Sequence, residues 1–334
     1  MKKIKVAQIG TSENSHGNSI WESMIKQKDI FDVVGYALPE NEREKFPDRA
    51  KAFDGYDEMT VDEILNNPEI EAVAVETEEI YLTKYALMVA NAGKHLHMEK
   101  PGSVDLADFE KLVEILKTKN LTFSTGYMYR FNPKIQEALA KVKNGELGEI
   151  YSVEAHMDCK HPAEVRQWLQ NFPGGMMFFL GCHLIDLIYQ IQGEPEEIIP
   201  FNCSTGYDEV TANDYGMVVF KYKNGISFAK TCANENGGFL RRQLVICGEK
   251  GTIEIKPIEV STENGPYTFY TVIDEAYSTE WYKEWDTSKS DVYDRYDDMM
   301  RNFAEMVREK ENRYSYDYEL GLYKLILRSC GKEV

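Results

Sequence analysis

The fold is decided by three short runs in the first third of the chain: IKVAQIG at residues 4–10, FDVVGYAL at 31–38 and IEAVAVET at 70–77. Each run is apolar and rich in β-branched residues, and a longer amphipathic stretch follows it. A helix that is apolar along one side must pack on a sheet, and strand–helix–strand units give parallel strands with right-handed crossovers. We therefore predict a Rossmann-type, doubly wound parallel sheet of six strands that ends near Thr125. The predicted helices of this α/β part cover residues 18–26, 40–52, 80–92 and 106–119.

The rest of the chain has a different pattern, in which strand-like runs are separated by turn signals. The clearest turn signals are Asn224-Gly225 and Lys250-Gly251. This pattern predicts an α+β domain built on a large, mostly antiparallel sheet. Its predicted helices cover residues 134–143, 176–192, 294–310 and 318–328. We place the first domain at residues 1–125 and the second at residues 126–334.

Length and composition limit the classes of protein to consider. A chain of 334 residues with 43% hydrophobic residues suits two globular domains. The net charge of −18 would repel phosphate backbones and anionic lipid surfaces, so we expect no nucleic-acid or membrane partner. The opening MKKIKVAQIG lacks the apolar core of a signal peptide or membrane span, and we expect a cytoplasmic protein. Six cysteines without a CxxC pair predict reduced thiols and no metal site.

The turn after the first run, GTSENSHG at residues 10–17, carries part of a nucleotide-binding fingerprint. In a GxGxxG turn, backbone N–H groups and a helix N-terminus approach a pyrophosphate. Gly10 occupies the first glycine position, whereas Ser12 and Ser15 occupy the other two. A serine is still small enough for a close approach, so dinucleotide binding and an ordinary turn both remain open at this point.

The second run ends without the carboxylate that usually binds the adenosine ribose of NAD. Leu38 stands at that position. Arg43 either faces the 2′-phosphate of NADP or lies on a solvated helix face. The sequence therefore leaves NAD and NADP open.

A second motif, AGKHLHMEKPG at residues 92–102, places a predicted strand directly before Glu99, Lys100 and Pro101. Ligands bind at the carboxyl edge of open parallel sheets, so Lys100 stands where a ligand is expected. Burial can move the pKa of a lysine toward the range that is useful for proton transfer. The alternative is a surface lysine that closes the strand.

At this motif the chain resembles the glucose–fructose oxidoreductase and inositol dehydrogenase family, known as Gfo/Idh/MocA. The family hallmark AGKHVxxEKP is matched at residues 92–101, GYMYRFNP at 126–133 is similar to its GxxxRFxP segment, and ICGEKGTIEI at 246–255 is similar to its GxxGxxxI hairpin. The resemblance implies that Lys100 hydrogen-bonds the reacting hydroxyl and helps its proton leave as a hydride passes to a nicotinamide. The expected site for NAD or NADP comprises Gly10, Thr11, Ser12, Ser15, His16, Leu38, Thr77, Glu99 and Lys100.

A third motif, PGGMMFFLGCHLID at residues 173–186, resembles the GGGxxxDxGxHxxD pattern of the same family. His183 and Asp186 are three residues apart, so they share one face of a helix. The resemblance implies that His183 is the acid/base partner of Lys100, and imidazole titrates near neutral pH. The other interpretation is a buried histidine that Asp186 or the backbone satisfies. Phe179 stands where the family usually carries a substrate-binding Asp, and a phenyl ring cannot hydrogen-bond a diol.

The substrate is expected in a sugar-sized cleft between the two domains. Aromatic and charged side chains there serve either the substrate or plain packing. The predicted substrate residues are Tyr127, Arg130, Trp168, Phe179 and Asp186, with Asn132 and Arg166 as further candidates.

The leading hypothesis is an NAD(P)-dependent oxidoreductase that acts on a secondary hydroxyl of a sugar, sugar derivative or cyclitol. One alternative is a redox-neutral enzyme that retains NAD, oxidises a sugar transiently and then carries out elimination or cleavage. Another is a non-catalytic sensor of nucleotide or sugar, suggested by Ser12, Ser15 and Leu38. The family resemblance also implies a homodimer or homotetramer formed through the sheet of the second domain.

Overall fold

The computed structural model describes residues 2–274 and 287–334. Its contacts divide the chain into two compact units, each assembled from two segments. The first unit comprises Met1–Met128 and Arg295–Gly321, and the second comprises Tyr129–Asp294 and Leu322–Val334. The sequence-based division assigns Arg295–Gly321 to the second domain, whereas these residues pack in the first unit.

A parallel sheet forms the centre of the first unit. Its strands are β1 (Ile4–Ile9), β2 (Phe31–Ala37), β3 (Ala72–Val75), β4 (His95–Met98) and β5 (Phe123–Thr125). They lie side by side in the order β2-β1-β3-β4-β5, and every neighbouring pair is parallel. All residues of β3 are buried, as expected of a parallel strand covered on both faces. The strand order reverses between β1 and β3, and ligands bind beyond the carboxyl ends of strands at such a point.

The prediction of six strands was wrong, because this sheet has five among the residues that the structure describes. After β5 the chain forms a 3₁₀ turn at Met128–Phe131. A helix then begins at Pro133, with the Asn132 side chain capping its first backbone N–H groups. Proline occupies the first helical position and asparagine occupies the cap. The extended chain therefore ends here, and no sixth strand of this sheet follows.

The helices of the chain begin and end close to the predicted positions in most cases. In chain order they are α1 (Gly17–Lys26), α2 (Glu42–Lys45), α3 (Pro47–Ala50), α4 (Val61–Asn66), α5 (Leu82–Asn91), α6 (Leu106–Thr118), α7 (Pro133–Lys143), α8 (Ala163–Trp168), α9 (Cys182–Gln192), α10 (Arg295–Glu309) and α11 (Tyr316–Ser329). A π-helical turn at Met177–Gly181 leads directly into α9.

Two helices of the first unit differ from the sequence prediction. The helix expected at residues 40–52 is broken into α2, α3 and a 3₁₀ turn, because Pro47 disfavours the helical conformation of Phe46 before it (φ −126°, ψ 59°). Helix α4 was not predicted. It begins with a capping box in which Thr60 and Glu63 bond to each other's backbone N–H groups, a pattern visible in the sequence.

Helix α10 packs on α1 in the first unit. Lys26 at the end of α1 forms an ion pair with Asp297 of α10. The next residue, Gln27, donates a hydrogen bond from Nε2 to the Asp297 carbonyl oxygen at 3.1 Å. Farther along α10, the Phe303 ring lies 5.7 Å from the ring of His97 in β4. A C-terminal helix therefore helps to complete the core of the N-terminal sheet.

The second unit contains a large mixed sheet and a small hairpin. Its strands are β6 (Ile150–His156), β7 (Glu197–Cys203), β8 (Tyr215–Tyr222), β9 (Gly225–Cys232), β10 (Gln243–Gly248), β11 (Gly251–Ile255), β12 (Val260–Thr262), β13 (Gly265–Tyr267), β14 (Phe269–Asp274) and β15 (Thr287–Lys289). The large sheet has the order β15-β14-β11-β10-β6-β9-β8-β7, and its pairs are antiparallel apart from β6 with β9. Both predicted tight turns are present, at the β8–β9 and β10–β11 connections. The predicted fold class is thereby confirmed.

Among the residues that the structure describes, no helix is long and apolar enough to cross a membrane. No group of three or more His, Cys, Asp or Glu side chains in residues 2–274 and 287–334 could hold a metal ion. The six cysteines are all free, and four of them are buried: Cys159, Cys182, Cys232 and Cys330.

Candidate cofactor and catalytic sites

The phosphate loop joins β1 to α1 at the point where the strand order reverses. Gly10 lies directly after β1 with a left-handed φ of 91°. A Cβ atom at this position would stand 2.6 Å from the backbone nitrogen of Thr77, which follows β3. Only glycine combines this conformation with so close a contact. The structure thus brings Gly10 and Thr77, two predicted cofactor residues, against each other.

Two serines replace the other glycines of the fingerprint and close the loop upon itself. The Ser12 backbone N donates to Ser15 Oγ at 3.1 Å, and the Ser15 backbone N donates to Ser12 Oγ at 3.1 Å. The backbone N–H groups of Glu13 and Asn14, at the tip between the serines, have no acceptor among the described residues. Backbone N–H groups of this kind hold the diphosphate of a dinucleotide. The loop therefore fits a diphosphate even though two glycines are missing.

A buried carboxyl group that the sequence analysis missed supports the same loop. Glu42 begins α2, and its Oε2 accepts a hydrogen bond from the Thr11 backbone N at 3.1 Å. Burial raises the pKa of Glu42 to about 9, and the bond from Thr11 opposes this rise only in part. At neutral pH the Glu42 carboxyl is therefore protonated and holds the loop without adding a negative charge beside it.

The end of β2 is where NAD and NADP are distinguished. Leu38 follows Ala37, whose carbonyl oxygen accepts a hydrogen bond from the Gly10 backbone N at 2.8 Å, so Leu38 lies next to the loop, and its contact with the cofactor stays a prediction. Arg43 donates to Tyr36 Oη at 2.6 Å and to Glu58 at 2.7 Å. The Arg43 guanidinium is therefore already paired with a carboxylate.

Glu99 connects the phosphate loop to Lys100. One carboxylate oxygen of Glu99 accepts hydrogen bonds from the His16 backbone N at 3.0 Å and from His16 Nδ1 at 2.9 Å. The other oxygen accepts a hydrogen bond from the Lys100 backbone N at 2.8 Å. Burial acts to raise the pKa of Glu99, but the charge and hydrogen bonds of His16 and the charge of Lys100 outweigh burial and hold it well below its usual range. Glu99 is therefore an ionised carboxylate that fixes both neighbours.

A row of polar side chains crosses the sheet beneath this site. The row consists of Gln8 of β1, His97 of β4 and Ser124 of β5. The strand register aligns these residues across the sheet, so their side chains lie on one face. His97 Nδ1 lies 3.2 Å from Ser124 Oγ, and its Nε2 lies 3.5 Å from Glu76 Oε1. Burial lowers the pKa of His97 to about 4, so the imidazole is neutral at physiological pH. None of these residues was singled out from the sequence.

In the second unit, His183 and Asp186 share one face of α9 as the spacing predicts. His183 is buried, and its ring centroid lies 5.6 Å from that of Tyr129. Arg130 donates hydrogen bonds to the Asp186 carboxylate from two nitrogens, Nε at 3.0 Å and Nη2 at 2.7 Å. Gln190 Nε2 also donates to Asp186, at 2.9 Å. Two predicted substrate residues, Arg130 and Asp186, are thus partners in a buried ion pair.

Phe179 belongs to a group of aromatic rings ahead of α9. Its ring is perpendicular to that of Trp168, with centroids 5.3 Å apart. Phe172 contacts Trp168 edge-on at 4.8 Å and stacks with Phe178 at 5.5 Å. Phe179 itself is buried, whereas Trp168 is half-buried, so Trp168 is the ring that a ligand reaches more easily.

The remaining candidates, Arg166, Asn132 and Tyr127, are buried. Arg166 pairs with Asp214 at 3.0 Å and with Asp208. Asn132 caps α7 with its side-chain oxygen and donates from Nδ2 to Thr268 Oγ1 at 2.8 Å. Tyr127 is buried in the first unit. Their predicted contacts with substrate stay predictions.

Comparison with known proteins agrees with this architecture in both halves. The profile of the "Oxidoreductase family, NAD-binding Rossmann fold" matches residues 4–127, and that of the "GFO/IDH/MocA C-terminal domain" matches residues 135–254. The expected nicotinamide dinucleotide, NAD or NADP, is thereby confirmed at the level of the family.

Individual relatives are distant or match in part. Uncharacterized oxidoreductase YhhX of Escherichia coli is 34% identical over 139 residues, which cover 41% of this chain and 40% of YhhX. Myo-inositol 2-dehydrogenase of Thermotoga maritima is 25% identical over 229 residues, which cover 67% of this chain and 66% of that enzyme. The chain thus spans two-fifths to two-thirds of the length of these relatives.

One solved structure shares the fold along almost the whole chain. A levoglucosan dehydrogenase in complex with NADH and levoglucosan superposes with a TM-score of 0.79 at 17% identity, covering 99% of this chain and 98% of that one. At this identity the likeness concerns the fold alone. Since the two profiles together cover the parallel sheet and much of the mixed sheet, the chain belongs to the Gfo/Idh/MocA family of NAD-binding oxidoreductases.

Proposed function

We propose that the protein is an NAD(P)-dependent oxidoreductase that transfers a hydride between nicotinamide and a secondary hydroxyl of a sugar, sugar derivative or cyclitol. The observation that carries the proposal is the position of Glu99, whose two oxygens bond to the phosphate loop and to Lys100. This carboxylate holds Lys100 in a fixed relation to the loop where the diphosphate is expected. A lysine held at a fixed position relative to a dinucleotide-binding loop can exchange a proton with the substrate while a hydride passes to or from the nicotinamide.

Each residue has a defined part in the proposed reaction. When bound, the nicotinamide dinucleotide supplies the hydride acceptor or donor. Lys100 hydrogen-bonds the substrate hydroxyl and takes its proton as the alcohol becomes a ketone, and in reduction it returns that proton. The family motif on α9 implies that His183 is the second acid/base group. Glu99 orients Lys100 and stays ionised throughout.

The substrate class follows from the aromatic rings around Phe179. A carboxylate at this position would bind two hydroxyls of a sugar, which a phenyl ring cannot do. The half-buried Trp168 offers an apolar ring surface of the kind on which sugar rings and apolar substituents pack. We therefore favour a sugar derivative with an apolar face or substituent over a free polyol. The Thermotoga maritima relative acts on myo-inositol by its name, which supports the class of ring alcohols.

The proposal is tested by turnover of the purified protein with NAD and NADP against polyols, free sugars and glycosides. Nicotinamide absorbance should change with at least one substrate, and Lys100→Met should abolish that change. Lys117→Met is the matched control, because it removes an exposed lysine paired with Asp317. Activity that survives in Lys100→Met overturns the assigned role.

The same aromatic replacement favours a second candidate function, a redox-neutral reaction in which a sugar carbon is oxidised and later reduced by a retained nicotinamide. Without a carboxylate to hold a diol, the site tolerates substrates whose hydroxyls are substituted. Product formation without net change in nicotinamide absorbance, from protein purified with its cofactor bound, distinguishes this candidate. Binding of ligand without any turnover would instead favour the sensor.

An open face of the large sheet supports the proposed homodimer or homotetramer. By strand register, Phe201 and Ile226 lie on the face opposite the buried Val218 and Phe220, and they are 56% and 57% exposed. Exposed apolar residues grouped on a sheet are typical of interfaces between proteins. Light scattering should show an oligomer, and Phe201→Asp should shift it toward the monomer.

Because the six cysteines are free, we also propose a reducing, cytoplasmic location, which cell fractionation tests.

A further inference from the structure

Three arginines are buried among the residues that the structure describes, and one of them has no carboxylate partner. Arg130 pairs with Asp186, and Arg166 pairs with Asp214. Arg242 is 7% exposed, and no ion pair joins its guanidinium to a carboxylate of the described residues. A buried charge without a counterion is strongly unfavourable, so the guanidinium of Arg242 calls for an anion.

Neutral groups hold the Arg242 side chain in place without cancelling its charge. Its Nε donates to the Asp158 carbonyl oxygen at 3.2 Å, and its Nη1 donates to Tyr129 Oη at 3.4 Å. The Phe239 ring covers the guanidinium, with its centroid 4.3 Å from Cζ. Nη2 has no hydrogen-bond partner in the part of the chain that the structure describes. The side chain is therefore fixed, and Nη2 is left to donate to a ligand.

The acidic side chains near Arg242 are balanced by other cations. Asp158 pairs with Lys230 at 3.2 Å, and Glu235 pairs with Lys230 and with Arg241. Two carboxylates and two cations thus cancel, and the positive charge of Arg242 is left over. This single charge matches a carboxylate better than a phosphate group, which carries about 1.5–2 negative charges at neutral pH.

Tyr129 connects Arg242 to His183, the proposed acid/base group. The Tyr129 hydroxyl accepts the hydrogen bond from Arg242, and the Tyr129 ring centroid lies 5.6 Å from that of His183. All three residues belong to the second unit. One tyrosine side chain therefore separates the unpaired guanidinium from His183. A ligand that contacts both groups carries its anionic group on a different carbon from the reacting hydroxyl.

We propose that Arg242 binds the carboxylate of a sugar acid, so that the substrate is a uronic or aldonic acid or a derivative of one. This inference rests on the proposed function and narrows its substrate class. The carboxylate accepts hydrogen bonds from the two terminal nitrogens, Nη1 and Nη2, because Nε is already occupied. A carboxylate at one end of the substrate leaves the apolar face of the sugar free to pack on Trp168.

Binding to the wild-type protein tests the inference without turnover. Isothermal titration calorimetry with the reduced cofactor present, so that an alcohol cannot be oxidised, compares glucuronate, galacturonate and gluconate with the corresponding methyl esters or lactone. At least one acid should bind at least about tenfold more tightly than its neutral partner. Glucose 6-phosphate is the further probe. Equal binding of acids and neutral partners, or tighter binding of glucose 6-phosphate than of every acid, overturns the inference.

Variants then assign the preference to one side chain. Arg242→Met should raise the dissociation constant of the preferred acid at least about tenfold and change that of its neutral partner by less than about twofold. Arg242→Lys keeps the buried charge but loses the paired N–H groups, so its affinity for the acid should be intermediate. This variant carries the test if Arg242→Met does not fold. Arg241→Met is the matched control, because the neighbouring Arg241 is exposed and pairs with Glu235.

Binding and turnover together separate this inference from the proposed function. Wild-type affinity for the acid in both Arg242 variants, or an equal loss in Arg241→Met, overturns the inference. Turnover of neutral ring alcohols alone, unchanged by Arg242→Met, keeps the proposed function and also overturns the inference. If a sugar acid binds through Arg242 while nicotinamide absorbance never changes, the carboxylate site stands and the proposed function fails.

Discussion

Glu99 accepts two hydrogen bonds from one residue of the phosphate loop, His16: one from the backbone N at 3.0 Å and one from Nδ1 at 2.9 Å. The second oxygen of the same carboxylate bonds to the Lys100 backbone N. The phosphate loop and Lys100 are therefore joined through a single side chain, and in the proposed reaction dinucleotide binding and proton transfer both depend on Glu99.

Glu99→Gln should weaken dinucleotide binding. The amide N–H₂ group cannot accept hydrogen bonds, so at least one donor of His16 or Lys100 loses its partner. The loss of a charge-assisted hydrogen bond costs about 1.5–3 kcal/mol, and we expect the dissociation constant for NADH or NADPH to rise at least about tenfold.

Fluorescence titration of the reduced cofactor checks this result without requiring a substrate. Glu13→Gln is the control, because Glu13 is an exposed carboxylate at the tip of the same loop. Equal affinities of wild type and Glu99→Gln would show that the loop does not need this anchor.

Glu42→Gln should change how stability depends on pH. Burial raises the pKa of Glu42 in the folded state to about 9, above its ordinary value of 4.5. Between these values the folded state holds a proton that the unfolded chain has released, so the free energy of unfolding falls as the pH rises through this window. Glutamine does not titrate and removes that decline. One linked proton contributes about 1.4 kcal/mol per pH unit, so the stability of the variant relative to wild type should rise by about 4–5 kcal/mol between about pH 4 and about pH 8.

Urea denaturation at the two pH values measures this difference. Glu44→Gln serves as the control, since Glu44 is exposed in the same short helix. A stability difference between wild type and Glu42→Gln that does not vary with pH would falsify the protonated state of the buried Glu42 carboxyl.

Asp186→Asn should unfold more easily than wild type, whether or not Asp186 also contacts substrate. Arg130 is buried and donates to both carboxylate oxygens, and the substitution leaves its charge without a counterion. Breaking one side of a buried ion pair costs about 3–5 kcal/mol. Replacing both residues together, as Arg130→Met with Asp186→Leu, should recover much of the stability.

The midpoint of urea unfolding reports the effect on Asp186→Asn. A variant with wild-type stability and a large increase in KM would instead assign Asp186 to substrate binding.

Trp168→Ala should raise KM more for some substrates than for others. The half-buried Trp168 ring lies edge-on to Phe172 and Phe179, so its removal takes away an apolar surface. Aromatic contacts of this kind contribute about 0.5–1.5 kcal/mol beyond their buried area. We expect KM to rise about tenfold for glycosides with apolar substituents and to change less for free sugars.

Steady-state kinetics with matched pairs of glycoside and free sugar test this preference. Gln167→Ala is a control on the same helix, because its side chain bonds to Thr211 and Gln170 near the surface. An equal rise in KM for both substrate types would indicate general distortion of the helix.

The elements that could be predicted are those whose signals are local. Strand β3 is an unbroken apolar run between polar segments, and Lys100 stands in a motif that ends a strand. Pairs of residues on one helix turn, such as His183 and Asp186, also follow from spacing alone. The break of the predicted helix at Pro47 and the capping box of α4 also have local signals, Pro47 itself and the spacing of Thr60 and Glu63, although neither was predicted.

The parts that could not be predicted depend on contacts between distant segments. Glu40, Glu42 and Glu44 alternate in one polar stretch, yet only Glu42 is fully buried, because the fold places it under Thr11, which is 31 residues earlier in the chain. The burial of Glu76 and Glu79 likewise depends on what the completed fold packs around the end of β3. Their positions in two family-like motifs put Arg130 and Asp186 in the predicted substrate set, and the fold also pairs the two side chains with each other, a contact that neither motif shows.

Helix α10 sets the order in which this protein can mature during translation. The ribosome releases β1 to β5 and α1 first, and N-terminal domains usually fold as they emerge. Here the partners of Lys26, Gln27 and His97 lie on α10, more than 150 residues after the last strand of that sheet. The surface that α10 covers in the folded protein is therefore exposed on the nascent N-terminal part until more than 150 further residues have been made. A chaperone that binds exposed apolar chain has its longest opportunity at that surface.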